Sequence, residues 1–217
     1  MSEESGRTGG RRKVAVVTGG AAGIGRAVAE RFAAGGYALA LLDLDPAAVS
    51  AAAEDFGAQG VPALGIAASV TDEGAVEAAM ARVVGTLGGI DVLINNAGVS
   101  CNRPTLELSL AEWQRAVDVN LTGVFLCARA AGRHMVEQRR GTILNIGSMY
   151  GTVAAPDRAA YCATKSAVDM LTDSETPPVP DTRSENMSEV SVRLSPLASV
   201  RIERRAKICV AALTSSA

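Results

Sequence analysis

From Lys13 onward, short apolar runs alternate with longer stretches in which apolar residues recur at helical spacing. Lys13–Thr18 reads KVAVVT, a β-branched run that predicts a strand. The glycine-rich segment 19–25 follows, and helical spacing covers Ile24–Ala34. Ala38–Asp43 (ALALLD) predicts a second strand, and Pro46 opens a helix to Phe56. Val61–Ala67 is a weaker third strand, and Asp72 is placed to cap a helix reaching about Leu87. Ile90–Ile94 (IDVLI) predicts a fourth strand. Leu110, Trp113, Val117, Leu121 and Val124 step by three and four residues, which predicts one helix from Ser109 to about Glu137. Thr142–Ile146 is the fifth strand, and Ala159 to about Thr172 reads as another helix.

Strands that are apolar throughout, alternating with helices, predict a parallel sheet covered on both faces. Right-handed crossovers then give a doubly wound α/β sheet.

Composition narrows the partners more than the fold. With 48% apolar and 20% charged residues, the chain is globular. Aromatics are only 3%, so the core must be built from Ala, Val, Leu and Ile. A formal charge of −2 excludes nucleic-acid binding by bulk charge. The basic string around Arg204, Arg205 and Lys207 reads as a solvated helix face. No apolar run approaches the ~20 residues that cross a bilayer, so no membrane partner is expected. The N-terminal MSEESGRTGGRRK lacks a signal-peptide core, and the four cysteines show no metal spacing. These features predict a cytoplasmic protein with free thiols and no metal.

The chain divides into a polar tail over 1–12, a nucleotide-binding and catalytic domain over 13–172, and an atypical segment over 173–217. That last segment contains no glycine, although the preceding 172 residues hold all 22. Serine is denser there, and Pro177–Pro180 (PPVP) stops any helix. Val190–Leu194 could form a short strand and Val200–Leu213 a helix. An ordinary variable terminus would account for some of this, but the abrupt change favours an altered or wrong-frame end.

Thr18-Gly19-Gly20-Ala21-Ala22-Gly23-Ile24-Gly25 lies between a strand and a helix. A tight turn there aims backbone N–H groups and a helix N-terminus at one point, which favours a phosphate. Side chains at Gly19, Gly23 or Gly25 would obstruct the pyrophosphate or the helix–strand contact. Asp43 ends the second strand, where a carboxylate can grip the adenosine ribose hydroxyls and repel a 2′-phosphate. Leu44, Ala21 and Ala22 supply no cation, so NAD is preferred over NADP.

Asn95-Asn96-Ala97-Gly98 ends the fourth strand, Asn120 lies within a helix, Ser148 follows the fifth strand, and Tyr161 and Lys165 stand in YCATK. Tyr161 and Lys165 are four apart, hence on one helical face. A free phenol titrates near pH ~10, so proton transfer near neutrality needs a cation to stabilise the phenolate. Lys165 can supply one. Ser148 can donate to a substrate oxygen, and Asn120 can hold a water that connects Lys165 to solvent.

In this order and spacing, TGGAAGIG, NNAG, Asn120, Ser148 and YCATK resemble the short-chain dehydrogenase/reductase family, over about Lys13 to Thr172. The resemblance implies a Rossmann fold and nicotinamide-dependent oxidoreduction of a small-molecule secondary alcohol or ketone. It implies Tyr161 as acid/base, Ser148 orienting the carbonyl, Lys165 on the nicotinamide ribose and Asn120 completing the set. It also implies that Asn96 and Gly98 line the cofactor and that Asn96 steadies the sheet centre. Homo-oligomers through the helices at about 109–137 and 158–172 are expected.

The chain departs from the family pattern in two places. Ser69-Val70 stands where the family has an acidic residue before a hydrophobic one at the adenine, although Ser69 can still hydrogen-bond. The Pro-Gly turn expected after a sixth strand is missing; Ser195-Pro196-Leu197 is the nearest string. The last strands are therefore expected to be incomplete, the sheet edge open and the nicotinamide poorly covered. A binding remnant without turnover is the alternative reading. Substrate selectors are expected near Ser100, Cys101, Met149 and Tyr150.

Overall fold

The computed structural model describes residues 11–174 together with the backbone of Val192–Ser195 and Ala198–Glu203. Among the described residues, seven strands form one sheet in the order β3-β2-β1-β4-β5-β7-β6. In chain order the strands are β1 (Val14–Thr18), β2 (Ala38–Asp43), β3 (Ala63–Ala67), β4 (Val92–Asn95), β5 (Arg140–Asn145), β6 (Val192–Ser195) and β7 (Ala198–Glu203). The helices are α1 (Gly23–Ala34), α2 (Pro46–Ala58), α3 (Glu73–Leu87), α4 (Leu110–Val117), α5 (Gly123–Glu137) and α6 (Ala159–Ser174). All pairs from β3 to β7 are parallel, and only β6 runs antiparallel, against β7. This is the doubly wound Rossmann arrangement.

All five residues of β1 are buried, as a central strand covered on both faces requires. Side chains alternate between two cores. Val14 and Val16 join Met80, Val83 and Met135 under α3 and α5. Ala15 and Val17 join Leu39, Leu41 and Phe56 under α1 and α2. Each fully buried Leu or Phe contributes roughly 1.5–3 kcal/mol by leaving water.

The helix ends are written in the sequence. Asp45 accepts from Ala47 and Ala48 N–H at 2.9 and 3.1 Å, ahead of Pro46 in the first turn of α2. Asp72 caps α3 by accepting from Ala75 N–H at 2.9 Å. At the opposite end of the sheet from the glycine turn, Asp91 takes Val14 N–H at 2.8 Å and Arg11 at 2.7 Å, with Arg140 at 3.0 Å.

Three expectations need correction. The single helix over 109–137 is interrupted. Asp118–Thr122 forms a π-helical turn between α4 and α5, with Gly123 N–H bonded to the Asp118 carbonyl. The apolar spacing runs straight across this turn, so periodicity could not reveal it. Next, Val200 to Glu203 belongs to β7 rather than to a helix; the remainder of the expected helix, like PPVP, lies outside the described residues. Finally, the edge of β5 is not open, because β7 pairs with it from Arg140↔Ser199 to Leu144↔Glu203. Pairing with that free edge outweighs the local helical preference of the segment. The short strand expected near 190–194 is present as β6.

Candidate functional site

The turn after β1 is held from beneath by Asn96. Its Nδ2 donates to the Thr18 carbonyl at 2.9 Å and to the Gly19 carbonyl at 3.1 Å, and its backbone N–H reaches Thr18 Oγ1 at 3.0 Å. Ala97 N–H shares that hydroxyl at 3.0 Å. Asn96 thereby ties the end of β4 to that of β1, the central pair of the sheet. A Cβ on Gly25 would collide with the Gly19 carbonyl oxygen and come within 2.6 Å of Asn96 Nδ2. Gly23 has φ +55° and open space around it, so the backbone rather than crowding demands glycine there. Ala22 gives α1 no side-chain cap, which leaves the first-turn N–H groups beside Ile24 without a side-chain acceptor.

Beside this turn runs a cleft of about 660 Å³. Gly19, Asp43, Ser69 and Gly98 line it, so four of the expected cofactor residues meet on one surface. The Asp43 carboxylate accepts from Ala21 N–H at 3.1 Å and Leu44 N–H at 2.8 Å, which fixes it at the mouth of the glycine turn. Ser69 Oγ and Thr71 Oγ1 lie 2.8 Å apart. Val70 reaches the start of α5, where a Cβ on Gly123 would meet its Cγ2 at 2.7 Å.

The second group of residues joins this cleft through Val99. Asn120 is fully buried in the π-turn. Its Oδ1 accepts from Val99 N–H at 2.7 Å, and its Nδ2 donates to the Val99 carbonyl at 3.0 Å and to Thr164 Oγ1 at 3.2 Å. Thr164 in turn donates to the Tyr161 carbonyl at 2.9 Å. Both side-chain N–H groups of Asn120 are taken, so the carboxamide clamps the cleft wall to α6.

Lys165 is 5% exposed, with Nζ donating to the Ile146 carbonyl at 2.7 Å and lying 5.8 Å from the Tyr161 ring centroid. Burial pushes its ammonium below the usual lysine range, and Asp169 opposes that shift. Tyr161 is half-buried and packs edge-on against Tyr150, with centroids 6.3 Å apart. Arg158 covers the Tyr150 ring at 5.1 Å. Among the described residues the Tyr161 hydroxyl has no hydrogen-bond partner. Ser148 caps the short turn Met149–Gly151, its Oγ accepting from Tyr150 N–H at 3.2 Å. Tyr150 is therefore the direct link between Ser148 and Tyr161.

Sequence reasoning missed Thr164, Asp169 and the cleft-facing side of α4. Thr164 stands inside YCATK and was legible there as a buried hydroxyl; the other two depend on how helices pack. Cys127 is core, and burial pushes its thiol up to about 12, so it is inert. Among the described residues no cluster could hold a metal, and no helix is long and apolar enough to cross a membrane.

A parallel sheet ending in a glycine turn, an acidic strand end and a helix bearing Tyr161 and Lys165 define a dinucleotide-binding architecture. The short chain dehydrogenase family model matches residues 13–181, and the chain belongs to that family. It is 41% identical over 156 residues to D-threitol dehydrogenase of Mycolicibacterium smegmatis, covering 72% of this chain and 60% of that protein. It is 39% identical over 163 residues to a 3-oxoacyl-[acyl-carrier-protein] reductase of Staphylococcus aureus, covering 75% and 66%. The crystal structure of NAD+-bound xylitol dehydrogenase is similar, with a TM-score of 0.73 and 37% identity over 76% of this chain and 64% of the other. The chain thus matches about three fifths to two thirds of the length of these relatives.

Proposed function

We propose that the protein is an NAD-dependent oxidoreductase acting on a small-molecule secondary alcohol or ketone. The observation that carries this reading is the chain of contacts from the Asp43 cleft through Val99, Asn120 and Thr164 to Tyr161. The residues fit a dinucleotide. Gly19, Gly23, Ile24 and Gly25 give a close-approach turn with free helix N–H groups for the pyrophosphate. Asp43 takes the ribose hydroxyls, and its charge favours NAD over NADP. Ser69 and Gly98 flank the adenosine half, with Asn96 fixing the turn behind them. When bound, the nicotinamide gives or takes the hydride.

This chain's own residues handle the proton and the orientation. Tyr161 exchanges the proton with the substrate oxygen, and Ser148 orients that oxygen. Lys165 holds the nicotinamide ribose and stabilises the phenolate as a neighbouring cation. The Asn120 carboxamide positions α6, and Asn120 can still hold a water that links Lys165 to solvent. Threitol and xylitol, named for two of the similar proteins, support a polyol or sugar ketone as the first substrates to try.

Purified protein with NADH and a ketone panel should oxidise the cofactor, and Tyr161→Phe should abolish turnover while NADH still binds. Activity that survives the substitution removes Tyr161 as the acid. Binding without turnover in the unmodified chain favours the remnant reading. Exposed Phe125 and Val136 on α5 and Met170 on α6 support self-association through those helices. Sedimentation velocity tests this, and a monomer at all concentrations rejects it.

A further inference from the structure

One wall of the cleft comes from α4 and the π-turn. Ala111, Gln114, Arg115, Asp118 and Val119 line it, and their spacing of three, four, seven and eight residues puts them on one helical face. The polar groups of this wall are mostly engaged. Gln114 Nε2 donates to Asp118 Oδ1 at 2.7 Å. Glu112, the other acid of the helix, is held by Arg103 at 3.0 Å and by Ser109 at 2.8 Å. Arg115 is the exception. It is exposed, makes no ion pair or hydrogen bond among the described residues, and is the only basic side chain on the described walls of the cleft. Facing this wall are Leu44, Ser69, Val70 and Thr71, where the Ser69 hydroxyl is shared with Thr71.

We infer that Arg115 is a cofactor-binding residue that lays its guanidinium plane over the adenine ring of the dinucleotide as a stacking clamp. The inference rests on the dinucleotide reading of the cleft. Its warrant is the chemistry of the two walls. Asp43 claims the ribose, so the base must extend between the Ser69–Val70 strip and α4. A purine is planar and electron-rich, and guanidinium stacks on such faces better than ammonium does. An additional phosphate is the poorer occupant, because Asp43 and Asp118 set two carboxylates in the cleft against one guanidinium.

The test measures dissociation constants for the full chain with NADH, NADPH, AMP and reduced nicotinamide mononucleotide, for wild type, Arg115→Ala and Arg115→Lys. Stacking predicts that Arg115→Ala weakens NADH and AMP by about three- to tenfold. The mononucleotide should be unaffected, and Arg115→Lys should restore less than half of the loss. Arg115 is solvent-exposed, so the thermal midpoints of the variants should match wild type. Unchanged NADH and AMP affinity in Arg115→Ala, or equal weakening of the mononucleotide, overturns the clamp while leaving the dinucleotide reading intact. Selective loss of NADPH overturns it in favour of phosphate recognition. Wild-type protein that binds neither NADH nor AMP removes the dinucleotide reading itself, and the clamp with it.

Discussion

Asn120 Nδ2 and Thr164 Oγ1 lie 3.2 Å apart in the buried seam between the π-turn and α6. The pair ties the cleft wall at Val99 to the helix carrying Tyr161 and Lys165. Thr164→Val keeps the shape and removes the acceptor, leaving one Asn120 N–H unpaired away from water. Such a loss costs about 1–3 kcal/mol. Urea unfolding should show it as a lower midpoint with an unchanged slope, and an unchanged midpoint would mean that the seam is not held by this bond.

Lys165 and Asp169 make opposite contributions to stability. Burial lowers the Lys165 value in the folded state, so the unfolded chain binds that proton more tightly. The folded state is then fully favoured only above the ordinary lysine value of ~10.4, and it loses stability as the pH falls through the lowered folded value. Lys165→Met lacks this titration and should gain on wild type as the pH drops across that alkaline interval. Asp169→Asn removes the carboxylate that opposes the shift, so its loss should be steeper than that of wild type. Thermal midpoints of the three proteins from pH 11 downward check the order. Parallel curves would mean that the ammonium is solvated.

Gly25→Ala tests the glycine turn. The added methyl collides with the Gly19 carbonyl and presses on Asn96 Nδ2, both backed by the central strands. The turn must move away from the end of β1, and cofactor affinity should fall at least tenfold. Gly57→Ala on α2, where a Cβ meets nothing within 4 Å, serves as the neutral control. Fluorescence titration with NADH separates the two, and equal affinity would show that the turn does not set the cofactor site.

Much of this architecture was legible because parallel strands buried on both faces must be apolar without interruption, as VAVVT and ALALLD are. The caps were equally plain, since Asp72 announces α3 by the hydrogen bond it can make. The π-turn was not legible. Leu121 and Val124 continue the apolar spacing through it, and only the burial of Asn120 between Val99 and Thr164 reveals why the helix widens there. Arg115 was hidden for a different reason: an exposed arginine on a short helix has no sequence signature until the fold sets it across from Ser69. β7 was misread because its pairing partner, β5, lies more than fifty residues upstream.

Glu112 gives the last prediction a defined window. It forms a capping box with Ser109 at the start of α4, the wall that carries Arg115. The Ser109 side chain first, then the Ser109 backbone and the Arg103 guanidinium, hold its carboxyl down at about 2 against an ordinary 4.5. A carboxylate depressed in the folded state contributes stability that is present above the unfolded value and lost as the pH falls through the folded one. Wild type should therefore lose stability between about pH 4.5 and about pH 2 relative to Glu112→Gln, which does not titrate there. Partial exposure makes the effect small and sensitive to salt. Paired acid-unfolding curves at low and high ionic strength measure it, and curves that remain a constant distance apart across this interval would show that the box does not hold the carboxylate in solution.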